Sequence, residues 1–191
     1  KKAGVEGFIL DVLKSYVPVD SYYKLVNKDE EATEIDTRKA RKKLRRYVES
    51  NDHAIRLKRL IRGVALAHGL EATFMPKPDR DHAGSGAHLH VSVLDQTGRN
   101  IFAADEPAGS PALRHAIGGL AVTINDTMAV CAPTANSYRR YQPEAYVPLG
   151  PSWSVNNRGV AFRVPAGPPE SRRVEHRVAG ADANPYLLAA M

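Results

Sequence analysis

The chain has 191 residues, of which 43% are hydrophobic, 25% charged and 7% aromatic. These values are typical of a globular protein and exclude collagen-like, low-complexity and wholly disordered chains. The single cysteine, Cys131, excludes a disulfide framework and a multi-cysteine metal site, so we expect a reducing, cytoplasmic setting. No apolar run reaches the roughly 20 residues of a membrane-spanning helix, and we expect no membrane partner.

The net charge of +6 is concentrated in the first third of the chain. Residues 1–62 carry 16 Lys/Arg and 10 Asp/Glu, whereas residues 63–191 carry 11 of each. This shift predicts an internal boundary between a basic helical segment and a second domain. The basic stretch 38–62 suits contact with a phosphate backbone, but the neutral remainder argues against a nucleic-acid partner.

Three helices are predicted in chain order. A cationic helix is predicted over 38–49, and a second over 54–69, where Leu57, Leu60, Ile61 and Val64 recur at helical spacing. A long, weakly polar helix is predicted over 111–131. Short segments of period two around it predict strands, so the fold class is α+β with a mostly antiparallel sheet and an N-terminal helical appendage.

The predicted strand 86–94 places two histidines on its polar face. Because side chains alternate along a strand, His88, His90 and Ser92 share one face, opposite the apolar residues Ala87, Leu89, Val91 and Val93. Two imidazoles at this spacing converge on one metal ion or one anion.

The predicted strand 172–178 carries Arg173, Glu175 and Arg177 on one face. A carboxylate between two guanidiniums is either an ion-pair ladder or a metal ligand flanked by anion-binding groups. Residues 139–177 hold seven arginines, and arginine favours bidentate binding of phosphate and carboxylate. Together with the histidines, they indicate a polyanionic ligand bound with metal, such as a nucleoside triphosphate, and an acidic co-substrate.

Four blocks resemble the glutamine synthetase superfamily in order and spacing, over about residues 54–191: FMPKP…GSGAHLHVSV, NSYRRYQP, SWSVNNRGVAFRVP and RRVEHRVAGADANPYLLAA. Their amino-acid sequences are most similar to those of the γ-glutamylpolyamine (glutamate–putrescine) ligase branch. The resemblance implies part of the family's catalytic-domain fold and an ATP-dependent ligase that joins glutamate to an amine through γ-glutamyl phosphate. It also implies Mg²⁺ or Mn²⁺ as cofactor and a ring dodecamer.

The resemblance implies roles for individual residues. His88 and Glu175 would hold the metal ion. Glutamate would be bound by Gly84, Arg140 and Arg177. ATP would be bound by His90, Arg158, Arg163 and Arg173, and the residues acting in catalysis would be Arg158, Arg163 and Tyr146.

Three departures from the family pattern matter. Tyr146 stands where ammonia-using members carry a glutamate, and an uncharged phenol does not trap ammonium at pH 7, so we expect a larger amine such as putrescine. Ala83 replaces the asparagine that usually precedes the GSG turn. The family's other metal-ligand glutamates are not recognisable upstream of residue 54, so we expect a fragment with weak metal binding and deficient catalysis.

Residues 1–58 do not match the family and are similar to a segment of the motor subunit of type I restriction enzymes. The resemblance therefore implies two domains: a basic helical segment over 1–53 that is not of the family, and a partial catalytic domain over 54–191. Two alternatives stand beside the ligase. The His-x-His strand is also used by metal-binding β-barrels of the cupin kind, although the arginine-rich strands are then unexplained. The basic stretch 38–62 alternatively indicates a nucleic-acid-binding protein.

Overall fold

The computed structural model describes residues 7–12, 21–22, 34–143 and 145–191, with side chains from residue 51 onward. The strands are β1 (Gly7–Val12), β2 (Ser21–Tyr22), β3 (Leu89–Leu94), β4 (Trp153–Val155), β5 (Phe162–Val164) and β6 (Val174–His176). The helices are α1 (Glu34–Ala67), α2 (Pro111–Cys131), α3 (Ala135–Tyr138) and α4 (Pro185–Ala190). In these ranges no helix is both long and apolar enough to cross a membrane.

The six strands form one sheet in the order β2-β1-β3-β6-β5-β4. All neighbours are antiparallel except β4 and β5, which run parallel. The predicted α+β class with a mostly antiparallel sheet is therefore confirmed. The order also explains why distant sequence blocks meet, because β3 and β5 both pair with β6 at the centre of the candidate site.

The core lies where β3, β5 and β6 pack with α2 and α4. Leu89, Val93, Phe162 and Val174 are buried, and Ala87 and Val91 pack against them, so the predicted apolar face of the 86–94 segment is confirmed. Burial of this apolar surface stabilises the sheet and aims the opposite, polar face away from the core.

The predicted helix over 111–131 is confirmed at both ends. Ser110 caps it, since its side chain accepts a hydrogen bond from the backbone N–H of Leu113, and Pro111 occupies the first turn. At the other end the N–H of Ala132 donates to the carbonyl of Met128, and Pro133 follows.

Helix α1 differs from the prediction of two helices over 38–49 and 54–69. It is continuous from Glu34 to Ala67, because buried Asn51 and Ala54 hold its middle against the protein and Tyr186 of α4 donates to Asp52. The predicted apolar stripe is largely exposed, with relative exposures that include Leu60 62%, Ile61 37% and Val64 51%. Helix α1 therefore contacts the rest of the protein through another of its faces.

The sequence predicts a helical segment over 1–53, but the structure shows that this segment is not entirely helical. Residues 34–53 are in α1, but Gly7–Val12 forms β1 and pairs along its whole length with β3. The apolar sequence GFILDV favours a strand, and pairing satisfies backbone groups along that edge of β3. The predicted boundary after residue 53 falls inside α1, and the division into two domains stays a prediction. Residues 1–6, 13–20 and 23–33 lie outside the described residues.

Candidate functional site

A buried carboxylate lies at the centre of the candidate site. Glu175 of β6 is 2% exposed. One carboxylate oxygen lies 2.7 Å from Nη1 of Arg163, and the other lies 2.5 Å from Nη1 of Arg177 and 3.1 Å from Nδ1 of His88. Three of the sequence blocks therefore meet at one side chain.

The charges around Glu175 keep it ionised. Burial alone raises the pKa of this carboxyl, but hydrogen bonds from His88 and Arg163, with the nearby charges of His90 and Arg177, hold the pKa well below its usual range. The cluster is thus a negative centre enclosed by cationic groups, and it presents a net positive field to a ligand.

A second pair extends the site along the same strands. His90 of β3 lies opposite Glu175 in the register, and Nε of Arg173 donates to its Nδ1 at 3.1 Å. Arg173 also donates to the carbonyl of Ser171 at 3.0 Å. His90, Arg173 and Glu175 therefore lie side by side on one face of the sheet.

Arg140 reaches the cluster from the loop after α3. It is 4% exposed and donates to the carbonyl of Val178 at 3.1 Å. Burial lowers the pKa of Arg140, and within the described ranges no carboxylate forms an ion pair with it. A guanidinium held from water in this way is suited to bind an anionic ligand.

The GSG turn packs close to Arg140. A Cβ atom on Gly84 would lie 2.7 Å from the carbonyl oxygen of Pro76 and 3.3 Å from Cγ of Arg140. A Cβ atom on Gly86 would lie 2.9 Å from Nη2 of Arg140 and 3.5 Å from Nε2 of His88. Glycine is therefore required for the backbone to approach the arginine this closely.

His88, Arg140 and the GSG turn border a cavity of about 540 Å³, which we call the cationic cleft. The basic residues Lys77, Arg80, His88 and Arg140 line it, together with the carboxylate of Asp81. Gly84 and Tyr146 also line it. The cleft therefore has the charge and size for a small carboxylate or phosphate compound.

Two predicted site residues lie apart from the Glu175 cluster. Arg158 is in an exposed turn between β4 and β5. Tyr146 is 75% exposed and has φ 51°, in the left-handed region that a bulky side chain rarely adopts. Tyr146 lines the cationic cleft, whereas Arg158 is not among the residues that line it.

Sequence reasoning missed the residues that hold the blocks together. Asn136 accepts from the backbone N–H of Lys77 and donates to its carbonyl, both at 2.8 Å. Asn156 accepts from Nη2 of Arg163 at 2.6 Å, and Asp182 accepts from Ser137 at 2.6 Å. These residues lie inside or beside the quoted blocks, but their partners are 7 to 59 residues away, and spacing carries no signal for such pairs.

The described residues do not by themselves fit a divalent metal ion. His88 and Glu175 offer two donors, but both oxygens of Glu175 already accept hydrogen bonds from guanidiniums. Among described residues no group of three His, Cys, Asp or Glu side chains is placed to hold a metal. Mg²⁺ and Mn²⁺ prefer near-octahedral oxygen shells, so this pair leaves most of a shell unfilled. The metal role of the pair stays a prediction.

Comparison with known proteins identifies the family. The family described as "Glutamine synthetase, catalytic domain" matches residues 25–191. The γ-glutamylputrescine synthetase of Escherichia coli is 49% identical over 143 residues, covering 75% of this chain and 30% of that protein. The glutamine synthetase of Pyrococcus abyssi is 42% identical over 139 residues, 73% and 31% of the two chains.

Two further similarities agree. A glutamate–isopropylamine ligase of Pseudomonas is 36% identical over 141 residues, 73% of this chain and 31% of that protein. The solved glutamine synthetase of Plasmodium falciparum superposes with a TM-score of 0.69 at 25% identity, covering 75% of this chain and 29% of that one. The chain thus spans about 30% of the length of the curated relatives it matches.

The family match begins at residue 25, further towards the amino terminus than the four blocks. The predicted resemblance over about residues 54–191 lies within this match, which also includes residues 25–53, where the sequence offers no recognisable motif. The similarity of 1–58 to a restriction-enzyme motor subunit stays a prediction.

The match also decides against the cupin-like alternative. The chain belongs to the glutamine synthetase catalytic-domain family, as the four blocks predicted.

Proposed function

We propose that this chain acts in an ATP-dependent ligase that joins the side-chain carboxylate of glutamate to an amine. The observation that carries the proposal is the convergence of cationic groups around one buried carboxylate beside the cationic cleft: Arg140, Arg163, Arg173 and Arg177, with His88 and His90. A nucleoside triphosphate and glutamate together bring many negative charges, and such a cluster offsets them.

In the proposed reaction the glutamate carboxylate attacks the γ-phosphorus of ATP, which releases ADP and leaves γ-glutamyl phosphate. The amine nitrogen then forms the amide bond, and inorganic phosphate leaves. We assign glutamate to Arg140, Arg177 and Gly84. Preorganised guanidiniums stabilise charge that develops on the transferred group, and this is where Arg163 and Arg173 would act.

His90 and Arg163 lie on either side of Glu175 across the sheet, and Arg173 donates to His90. We assign the ATP phosphates to these three residues. Arg158 is assigned to the same phosphates from its exposed turn, a position that supports contact with a ligand rather than a structural role. The family pattern implies ATP with Mg²⁺ or Mn²⁺. Because the described donors do not complete a metal shell, no step is assigned to the ion.

The proposed amine is larger than ammonia, with a polyamine such as putrescine preferred. Two relatives are named for putrescine and isopropylamine, and Tyr146 places an uncharged phenol at the wall of the cleft.

A ring dodecamer is the proposed assembly, and analytical ultracentrifugation of the purified chain tests it.

The purified 191-residue chain tests the function. Glutamate binding is measured by calorimetry, and γ-glutamylputrescine and ADP formation are measured with glutamate, ATP, Mg²⁺ and putrescine or ammonium. Arg140→Met is expected to weaken glutamate binding at least about tenfold, since a charge-assisted hydrogen bond is worth about 1.5–3 kcal/mol. Arg140→Lys should recover part of it.

Arg99→Met is the matched control, because Arg99 is 84% exposed in its side chain and pairs only loosely with Asp95 at 3.6 Å. Equal glutamate affinity in Arg140→Met and Arg99→Met would overturn the assignment. Deficient catalysis is expected for this chain, and steady turnover of about 1 per second or faster, the range of ordinary enzymes, would contradict that expectation while supporting the ligase.

A further inference from the structure

A second cavity adjoins the cationic cleft and differs from it in chemistry. We call it the apolar cavity. It has a volume of about 810 Å³, and its hydrophobic walls include Pro143, Val147, Leu149 and Pro151. Among the described residues that line it, none is charged, whereas Lys77, Arg80 and Arg140 line the cleft.

The two cavities share one wall. Gln142, Pro143, Tyr146 and Val147 line both of them. The cavities therefore adjoin at these four residues, and a ligand lying across them would have one end in each cavity. The geometry suits a molecule with a reactive polar end and a hydrocarbon remainder.

Tyr146 occupies the shared wall in an unusual conformation. Its φ of 51° is left-handed, and this region is strained for a bulky residue. Such strain is common at ligand-binding positions. The ring also provides an aromatic face at the junction, and an ammonium group is attracted to such a face.

We propose that the apolar cavity binds the alkyl chain of the amine co-substrate, with Tyr146 at the junction and Leu149 as a wall of the alkyl subsite. The inference rests on the proposed ligase function. The amine nitrogen must reach the glutamyl carbon in the cationic cleft, and the positive walls of the cleft repel any further cationic part of the amine. The apolar cavity next to it, whose described lining residues are uncharged, accepts the hydrocarbon chain without that repulsion.

Leu149 is the cleanest probe, because it lines the apolar cavity and not the cationic cleft. Its exposure of 62% means that a polar replacement does not disturb a core. Leu70 is 66% exposed in an irregular segment and lines neither cavity, so Leu70→Ser is the matched control for Leu149→Ser.

The test compares dissociation constants of butylamine and methylamine for the 191-residue chain by saturation-transfer NMR, which needs no turnover. A fully buried methylene contributes about 0.8 kcal/mol, or roughly fourfold in affinity. Three added methylenes in a partly open cavity should therefore favour butylamine by about tenfold. Leu149→Ser should reduce this preference to about threefold or less, and Leu70→Ser should leave it in place.

Equal affinities for the two amines, or equal loss in both serine variants, would overturn the inference. Glutamate calorimetry on the same protein separates the two proposals. If glutamate binds but chain length has no effect, the alkyl subsite is wrong and the ligase stands. If butylamine is preferred through Leu149 but glutamate does not bind, the cavity is an alkylamine site and the ligase is wrong.

Discussion

Arg163 and Glu175 lie directly opposite each other on the antiparallel strands β5 and β6, and Nη1 of Arg163 donates to the Glu175 carboxylate at 2.7 Å. The side chains of the pair are 18% and 3% exposed. Because Arg177 and His88 approach the other oxygen, loss of the carboxylate would leave several cationic or polar groups without their partner.

The first prediction concerns the stability of this cluster. Glu175→Gln should lower the free energy of unfolding by about 3 kcal/mol, since breaking a buried ion pair at one partner typically costs about 3–5 kcal/mol and the amide retains some hydrogen bonds. Urea denaturation at pH 7 measures it.

The control for this prediction is an exposed pair. Glu106 lies 3.4 Å from Arg114, with side chains 66% and 40% exposed, so Glu106→Gln should change the unfolding free energy by less than about 1 kcal/mol. Similar losses in the two variants would show that burial adds nothing to the Glu175 cluster.

The second prediction concerns the pH dependence of stability. Burial, and then the charge of His88, lowers the pKa of His176 from 6.5 to about 4. Between these values the unfolded chain binds the proton and the folded chain does not, so stability is present above pH 6.5 and falls as the pH drops towards 4. The loss from this residue should reach about 3 kcal/mol at about 1.4 kcal/mol per pH unit.

The titration of Glu175 does not contribute to the loss of stability between pH 6.5 and pH 4.5. The pKa of Glu175 is lowered, so its contribution is present above its unfolded pKa of 4.5 and is lost only below that. Urea denaturation from pH 4.5 to 7 should give a flatter profile for His176→Gln than for wild type. His115→Gln, on the exposed side of α2, should keep the wild-type slope, and an unchanged slope in His176→Gln would contradict the prediction.

The third prediction concerns two glycines. Gly84→Ala places Cβ 2.7 Å from the backbone oxygen of Pro76, and backbone does not yield as a flexible side chain does. We expect a loss of about 1–3 kcal/mol in stability, typical of overpacking, together with weaker glutamate binding through displaced Arg140. Gly118→Ala meets nothing within 4 Å on α2 and should instead stabilise by about 0.5–1 kcal/mol.

Thermal unfolding and glutamate calorimetry check both glycine variants. Opposite signs in stability are expected, with altered glutamate binding only in Gly84→Ala. Should Gly84→Ala unfold and bind glutamate like wild type, the close approach of this turn to Arg140 has no functional consequence.

The fourth prediction concerns the choice of amine. Tyr146→Glu places a carboxylate at the wall of the cationic cleft, where it attracts a small ammonium ion. The ratio of the dissociation constant for putrescine to that for ammonium, measured by calorimetry, should rise at least about tenfold, equivalent to about 1.4 kcal/mol. Tyr146→Phe is the control, since it keeps the ring without adding charge. A ratio unchanged by the carboxylate would exclude Tyr146 from amine selection.

The sequence by itself determined the local faces of this protein. Period-two alternation predicted that His88 and His90 lie opposite the apolar residues of the segment 86–94. It also predicted that Arg173, Glu175 and Arg177 share one face of the segment 172–178. The weakly polar helix predicted over 111–131 coincides with α2 at both ends. These features depend on neighbours within a few residues, so periodicity contains them. The four blocks also carried the family.

Only the tertiary structure decided which faces meet. The register of β5 against β6 places Arg163 beside Glu175, and no spacing along the chain encodes that pairing. Packing of Asn51 and Ala54 made α1 continuous and left Leu60 and Val64 exposed. Pairing with β3 made Gly7–Val12 a strand. In each case the contact joins residues far apart in sequence, so the local pattern does not encode it.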